Sequence, residues 1–381
     1  VRVKLRQTVV TIFHIIIMET LLYCVCFIVI VHVLPANTEL QLVQVLFRHG
    51  ERTPVDMYPK DPYINFTYPP FGLGTLTNPG KLQQYLQGQY LRTRYNEFLG
   101  HHYNSDVMYV QTTDMDRTKM SAQLVLAGLW PPAPAQLWNP DLHWQPIPTH
   151  SEPLKKDSLL LNNLRCPRYY YERQKVLNST QLQDILNEYN ATHLYETLSE
   201  LTGGTFEDPY DVMSLYSTLK AEEGFNLTLP EWTRGIYPEK LLPLTIFSFT
   251  LNVYNTDMQK VKAGPLVKKL LNDGKAKAEG TLQPEGRKMY IYSGHDSTIV
   301  NLLSALQVWD PQIPDYGIMV LIELHHNKSS DQHYIKLFLR NTTEHEPYLL
   351  KLPGCETDCP LDQFISLTRP VIPVNWEDDC K

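Results

Sequence analysis

Three apolar segments, each followed at once by charged or histidine residues and then by a helical pattern, constrain the fold of this chain most. They occupy residues 42–47 (LVQVLF), 107–111 (VMYVQ) and 289–292 (MYIY). Nearly continuous apolar runs of this length are typical of strands that are buried on both faces, as in the parallel sheet of an α/β protein. The sequence therefore predicts an α/β fold in which these three strands are central.

A helix signal follows each of the three segments. For the first helix, Thr77 or Asn78 can serve as the cap, Pro79 suits the first turn, and Gly100 suits the end. An amphipathic helix buries the face on which its apolar residues fall. Those residues are Leu82, Leu86 and Tyr90 in the first helix, Met120, Leu124 and Ala127 in the second, and Ile299, Leu302, Leu303 and Leu306 in the third.

Charged and histidine side chains follow the three strands at the point where each one ends. In open parallel sheets, ligands bind outside the carboxyl ends of the strands, so neighbouring strands would bring these side chains into one crevice. The set consists of Arg48, His49, Arg52, Arg117, His295 and Asp296. Convergent arginines repel each other unless a dianion lies between them, and the guanidinium fork matches phosphate geometry. The sequence predicts a phosphate pocket that needs no metal ion.

Histidine and aspartate supply the chemistry for such a pocket. A neutral imidazole can attack phosphorus and form a phosphohistidine, and a protonated carboxyl can give a proton to the leaving alkoxide. Each feature alone also has a structural interpretation, such as an Arg-His pair that only supports a strand end or an arginine at a solvated helix start. The repetition of the pattern at three equivalent junctions favours the functional interpretation.

Two signatures give the chain a resemblance to a known family. RHGERTP (residues 48–54) matches the RHGxRxP motif of the histidine acid phosphatases, and the pair at 295–296 matches the HD signature of that family. TTDMDRTKMSAQLVLAGLWPP (112–132) resembles the segment of that family that carries a further phosphate-binding arginine. Other segments resemble the prostatic and lysosomal acid phosphatase branch, and they are FNLTLPEW (225–232), AGPLV (263–267), HEPYLLKLPGCETDCPLDQF (345–364) and PVIPVNWEDDC (370–380).

The resemblance implies a role for each candidate residue. It makes His49 the residue that accepts the phosphoryl group and Asp296 the proton donor. The residues that it implies as ligands of the phosphoryl oxygens are Arg48, Arg52, Arg117 and His295. The implied activity is acid phosphatase, the hydrolysis of small-molecule or peptide phosphate monoesters without a metal or any other cofactor. Members of this branch are often homodimers, so a homodimer is compatible with the resemblance.

The resemblance also implies the domain organisation. It points to a mixed, mainly parallel sheet flanked by helices, interrupted by a smaller and mainly helical insertion. We place the catalytic α/β domain at residues 37–145 and 244–381 and the insertion, which would act as a cap, at residues 146–243.

Cysteines and glycosylation sequons indicate an oxidising compartment. The resemblance implies two disulfides, Cys166–Cys380 and Cys355–Cys359. Taken alone, the spacing of Cys355 and Cys359 also fits part of a metal site, although two thiols make an incomplete one. The asparagines of the N-x-S/T sequons, which are glycosylation acceptors in secreted proteins, are Asn65, Asn178, Asn190, Asn226, Asn327 and Asn341.

Residues 9–34 form a strongly apolar run. If translation starts at Met18, residues 21–33 have the length of a signal-peptide core, and Ala36 supplies a small residue for cleavage. We therefore predict a signal peptide within residues 1–36, with residues 1–17 as spurious upstream translation, and a secreted, lysosomal or luminal product. A retained membrane anchor is the alternative.

The net charge and the sequence after residue 36 argue against nucleic-acid binding and against a membrane span. The formal net charge of −7 gives no reason to expect nucleic-acid binding, which needs a basic surface. After residue 36 no second apolar run of membrane length follows, so we expect no stable membrane span once the signal is removed. Two alternatives to an active secreted enzyme are a catalytically idle relative that binds phospho-ligands and a membrane-held lysosomal acid phosphatase.

Overall fold

The computed structural model describes residues 38–161 and 166–381, so the predicted signal peptide lies outside the described residues. The strands are β1 (Thr38–Arg48), β2 (Met108–Thr113), β3 (His150–Glu152), β4 (Met289–Gly294), β5 (Met319–Asn327), β6 (Gln332–Arg340), β7 (Tyr348–Leu350) and β8 (Cys359–Pro360). The α-helices are α1 (Asn78–Leu99), α2 (Asp116–Leu129), α3 (Pro167–Leu177), α4 (Thr180–Glu188), α5 (Ala191–Thr202), α6 (Pro209–Gly224), α7 (Leu242–Leu251), α8 (Thr256–Lys262), α9 (Gly264–Ala278), α10 (Asp296–Ala305), α11 (Leu361–Thr368) and α12 (Trp376–Asp379).

The strands form one mixed sheet in the order β3-β2-β4-β1-β5-β6-β7, with β8 paired to β6. Strand β4 is parallel to both β1 and β2, and β2 is also parallel to β3. The strands on the other side of β1 are antiparallel to their neighbours. The predicted fold class is confirmed, since the three predicted strands make up the parallel centre of the sheet and helices cover it.

Successive residues of β1 enter two separate parts of the core. Leu42 and Leu46 pack in the cluster that contains residues of α9 and α10. Val43, Val45 and Phe47 point to the opposite face and pack with residues of α1 and α2. Because both faces of β1 are covered, its sequence is apolar without alternation.

Helix α1 begins and ends where the sequence predicts but buries a different face. The Thr77 side chain accepts a hydrogen bond from the backbone N–H of Gly80, and Gly100, with φ at 79°, ends the helix. The prediction that the face with Leu82 and Leu86 is buried is wrong, because Leu82 is 57 % exposed and Leu86 is 48 % exposed.

Helix α2 shows the same departure, since Met120 of its predicted stripe is exposed. The cause is the close contact between α1 and α2. A Cβ atom added to Gly88 would lie 2.0 Å from the carbonyl oxygen of Val125, and one added to Gly128 would lie 2.2 Å from that of Tyr85. Backbones this close admit only small residues, so glycines and not the longer apolar side chains occupy the contact. In α10, by contrast, the predicted stripe is buried.

Two disulfides are formed, Cys166–Cys380 and Cys355–Cys359, and they are the pairs that the resemblance implies. The segment between β3 and α7 is mainly helical, with α3 to α6, while the domain boundaries at residues 146 and 243 stay predictions. None of the helices in the two described ranges is long and apolar enough to cross a membrane.

The sequon asparagines all reach the surface. Asn65, Asn178, Asn190 and Asn226 are exposed, and Asn327 and Asn341 are half-buried.

Candidate active site

The carboxyl ends of β1, β2 and β4 meet at one edge of the sheet. Strand β4 lies between the other two, with Arg48 of β1 opposite Gly294 and Thr112 of β2 opposite Ser293. The strands are therefore neighbours, which the sequence could only assume, and the residues that follow them lie together.

His49 follows β1 and is 2 % exposed. Its Nε2 accepts a hydrogen bond from Arg117 Nε at 3.1 Å. Because arginine can only donate, Nε2 carries a lone pair, and the ring proton lies on Nδ1, which donates to the carbonyl oxygen of Gly50 at 2.8 Å. Burial, together with the charges of Arg48 and other nearby cations, holds the pKa of His49 well below its ordinary value. The ring is thus neutral, and its unprotonated nitrogen, Nε2, faces Arg117.

Arg48 and Asp296 form an ion pair in which Nη2 and Oδ2 are 2.9 Å apart. The guanidinium of Arg48 also lies 4.3 Å from the ring centre of Tyr316. Burial opposes ionisation of Asp296, but the charge of Arg48 and the backbone N–H of Ser297, which donates to the carboxylate at 2.7 Å, outweigh it. The pKa of Asp296 is therefore lower than usual, and the carboxyl is charged in this structure.

Arg52 and Arg117 complete the positive set. Arg52 is 9 % exposed and donates to the carbonyl oxygen of Thr53 at 3.0 Å. Arg117 lies in the first turn of α2; burial and the charge of Arg52 lower its pKa to about 10. Cations that are held this close are stabilised by an anion placed among them.

His295 connects β4 to α10 and contacts the end of β2. Its Nε2 lies 2.9 Å from the hydroxyl oxygen of Thr113, and its backbone N–H donates to the Thr298 hydroxyl at 3.0 Å. The ring centres of His295 and His49 are 5.5 Å apart. Burial and the charge of Arg117 lower the pKa of His295 to about 3, so this ring is neutral as well.

The site opens into a cavity of about 310 Å³. The predicted residues that line it are His49, Arg52, Arg117, His295 and Asp296. Arg48 lines an adjoining smaller pocket, which shares Asp296 with the large cavity. The structure therefore brings all six predicted residues together and leaves room in the cavity for an organic group attached to a phosphate.

Other residues of the site carry no recognisable sequence signal. Tyr316, which contacts both Arg48 and His49 through its ring, lies in an irregular loop before β5. Lys262 ends α8, and Asn252 follows α7, yet both line the cavity. Only the tertiary fold brings these residues to the edge of the sheet.

The groups gathered here suit an anion. Within residues 38–161 and 166–381, no three His, Cys, Asp or Glu side chains are grouped so that they could hold a metal ion. Arginines and neutral imidazoles dominate the site, and the carboxylate of Asp296 is paired with Arg48. Fold and site define an α/β protein with a cationic pocket beside a neutral histidine.

The comparisons with known proteins agree with this class. The model of the histidine phosphatase superfamily (branch 2) matches residues 39–340. The chain belongs to this superfamily, and its enzyme class is acid phosphatase, a phosphoric monoester hydrolase.

Named relatives match most of the chain. Human prostatic acid phosphatase is 39 % identical over 348 residues, which cover 90 % of this chain and 88 % of that protein. Venom acid phosphatase Acph-1 of Apis mellifera is 38 % identical over 352 residues, which cover 91 % and 89 %. Human lysosomal acid phosphatase is 37 % identical over 346 residues, which cover 90 % and 80 %.

Solved structures share the fold at lower identity. The Hafnia alvei phytase in complex with myo-inositol hexakis sulphate has a TM-score of 0.64 at 17 % identity, covering 91 % of this chain and 99 % of that one. The phytase from Citrobacter braakii has a TM-score of 0.63 at 19 % identity, covering 90 % and 99 %. At these identities the likeness concerns the fold alone.

Proposed function

We propose that this protein hydrolyses phosphate monoesters of small molecules or peptides at acid pH, through a phosphohistidine on His49 and with Asp296 as the proton donor. One observation carries the proposal, the 3.1 Å hydrogen bond from Arg117 Nε to His49 Nε2. This hydrogen bond selects the tautomer in which Nε2 is unprotonated and can act as a nucleophile. It also directs Nε2 towards the arginines that would hold the phosphate.

In the first step, the phosphate group of the ester lies among the cationic side chains, and the Nε–H of Arg117 turns from His49 to a phosphoryl oxygen. The His49 Nε2 lone pair forms the N–P bond while the P–O bond to the alcohol breaks. The residues that hold the phosphoryl oxygens are Arg48, Arg52, Arg117 and His295. Their charges and donors offset the negative charge of the transferred group, and this electrostatic stabilisation is the main need of phosphoryl transfer.

The leaving alkoxide takes its proton from Asp296. In the structure the ion pair with Arg48 favours the charged carboxylate. A phosphate dianion would compete for Arg48 and add negative charge beside the carboxyl, and both effects raise the pKa of Asp296. An acidic medium then supplies the proton that the reaction uses.

The second step reverses the roles. Asp296, now a carboxylate, accepts a proton from water while the water oxygen attacks phosphorus. The N–P bond breaks, its electron pair returns to His49, and inorganic phosphate is released. One carboxyl group thus serves first as general acid and then as general base.

The compartment of the enzyme and the role of its helical insertion are also proposals. We propose a secreted or luminal protein that is delivered by the signal peptide and glycosylated at its sequons. Two disulfides support this compartment, because such bonds persist in oxidising surroundings. We propose that residues 146–243 act as a cap, since Tyr210, Met213 and Ser214 of α6 line the cavity.

Replacement of the nucleophile tests the mechanism. We expect His49→Ala to abolish hydrolysis of p-nitrophenyl phosphate, because the substitution removes the ring nitrogen that is proposed to attack phosphorus. With ³²P-labelled substrate and an alkaline quench, the wild-type protein should carry base-stable label and the variant none. His102→Ala is the matched control, since His102 is exposed and precedes β2, whose other end lies at the site; it should retain activity.

Two results would contradict the proposal. Residual activity of His49→Ala above roughly a few per cent would exclude His49 as the nucleophile. Wild-type protein that binds inorganic phosphate but hydrolyses no monoester would support the idle, ligand-binding alternative.

A further inference from the structure

Lys262 lines the substrate cavity but has no part in the chemistry proposed above. It is the last residue of α8, and its Nζ lies 4.5 Å from the ring centre of Tyr169. Burial lowers the pKa of Lys262 to about 8, so the ammonium is charged throughout the acid range. The cavity wall therefore carries a cation in addition to the arginines of the phosphate site.

Two asparagines are linked to Tyr169 by hydrogen bonds. The Tyr169 hydroxyl donates to Asn252 Oδ1 at 2.9 Å, and Asn252 Nδ2 donates to Asn301 Oδ1 at 2.8 Å. Asn252 and Asn301 both line the cavity. Because the amide oxygen of Asn301 is taken by Asn252, the polar group that remains to Asn301 is its amide N–H₂, a donor. Cation and donor together favour an anionic ligand.

Helix α10 contributes residues both to this part of the cavity wall and to the reaction centre. It carries Asp296, Ser297 and Asn301, all of which line the cavity. Ser297 and Asn301 are four residues apart and share a helix face. At a rise of 1.5 Å per residue, Asn301 lies about 7–8 Å along the helix axis from Asp296. A linker of the size of one substituted benzene ring spans such a distance.

We propose that Lys262, together with Asn301 and Ser297, forms a second anion subsite, which makes the enzyme prefer monoesters whose alcohol part carries a further anionic group, a carboxylate or a second phosphate. The inference rests on the proposed function, because the subsite is defined relative to a phosphate held at His49. In such a substrate the phosphate lies among the arginines and the second anion meets the ammonium of Lys262.

Two aryl esters with similar leaving groups test the subsite. They are 4-methylphenyl phosphate and 4-carboxymethylphenyl phosphate, assayed at about pH 5.5, where the carboxyl is ionised. For the wild-type enzyme we expect a KM about tenfold lower for the carboxylate ester with similar kcat, the size of one charge-assisted hydrogen bond. Lys262→Met should bring the KM ratio of the two esters close to one, whereas Lys262→Arg, which keeps the charge, should retain the preference.

A matched control separates local from overall charge. Lys275→Met removes one cation from the exposed surface of α9, where Lys275 pairs with Glu279, and should leave the KM ratio at the wild-type value. Equal KM values for both esters in the wild-type enzyme, or an unchanged ratio in Lys262→Met, would overturn the subsite.

Binding separates this proposal from the proposed function. Calorimetric titration with benzylphosphonate and 4-carboxybenzylphosphonate needs no turnover. Absence of hydrolysis would contradict the proposed function, while tighter binding of the carboxylate compound that is lost in Lys262→Met would still support the subsite. Equal affinities of the two phosphonates would overturn the subsite even if both esters were hydrolysed.

Discussion

Burial and the surrounding charges affect the pKa values of His49 and Asp296 differently. For His49, burial and nearby cations act in the same direction and keep the ring neutral. For Asp296, burial and the cations act in opposite directions, and the cations prevail. The nucleophile His49 must be neutral at all times. The proton donor Asp296 must instead change from the charged to the protonated form when substrate binds. This difference makes Asp296 the more informative residue for a kinetic test.

Asp296→Asn should slow esters with poor leaving groups more than esters with good ones. An alkyl alkoxide needs the proton, so we expect a loss of about 10²–10⁴-fold for an alkyl phosphate. p-Nitrophenolate leaves without protonation, so its ester should be affected far less in the first step. The measurement is single-turnover release of the alcohol from each ester. Equal losses for the two esters would argue against a general acid at this position.

At the scale of elements, the contact between α1 and α2 is the feature that departs most from the helical pattern. Glycines form the contact, and apolar residues such as Leu82 lie outside it. These two helices follow β1 and β2, and Arg117 lies in the first turn of α2. Their packing therefore also positions a residue of the site.

Gly88→Ala should destabilise the protein, because the new methyl group would lie 2.0 Å from the carbonyl oxygen of Val125. Overpacking of this kind costs roughly 1–3 kcal/mol, measured as the free energy of unfolding in urea. Gly274→Ala in α9 is the control, since no atom lies within 4 Å of its added Cβ, and alanine is favoured over glycine in a helix by about 0.5–1 kcal/mol. If both variants changed stability alike, the close backbone contact would not be the cause.

For the molecule as a whole, a buried pair of acids joins α6 to the segment that follows β1. Glu222 and Asp61 are almost fully buried. Within the described part of the chain, neither the Oδ2 of Asp61 nor either carboxyl oxygen of Glu222 has a hydrogen-bond donor. A proton held between the two carboxyl groups would satisfy both of them. Accordingly, burial and the neighbouring Asp61 raise the pKa of Glu222 to about 8.

This pair should make the folded protein more stable in acid than in base. The folded state keeps a proton that the unfolded state, with a carboxyl pKa near 4.5, loses first. Stability from this proton is complete below about pH 4.5 and is lost as pH rises to about 8, at up to about 1.4 kcal/mol per pH unit. Glu222→Gln should flatten the dependence of the melting temperature on pH over this range.

The neighbouring Glu223→Gln serves as the control, because Glu223 is exposed, and its melting curve should follow that of the wild type. A Glu222→Gln protein whose melting temperature ran parallel to the wild type from pH 5 to pH 8 would refute the shared proton.

The sequence by itself identified three strands that are buried on both faces and the residues that follow their carboxyl ends. Apolar runs without alternation mark strands that are covered on both faces, and such strands end where ligands bind. The caps of α1 were predictable for a similar reason, since Thr77 and Gly100 act within one turn of the helix ends. These are local signals, and each is carried by a few consecutive residues.

Only the tertiary structure decided which strands are neighbours, which helix faces are buried and what else lines the cavity. The faces of α1 and α2 depend on a contact between two helices, which no periodicity within either one records. Lys262, Asn301 and Tyr316 reach the site from separate elements, and no short motif contains them. The tautomer of His49 likewise depends on Arg117, which is 68 residues away. Pairwise contacts between distant segments set these features, and a local pattern cannot encode them.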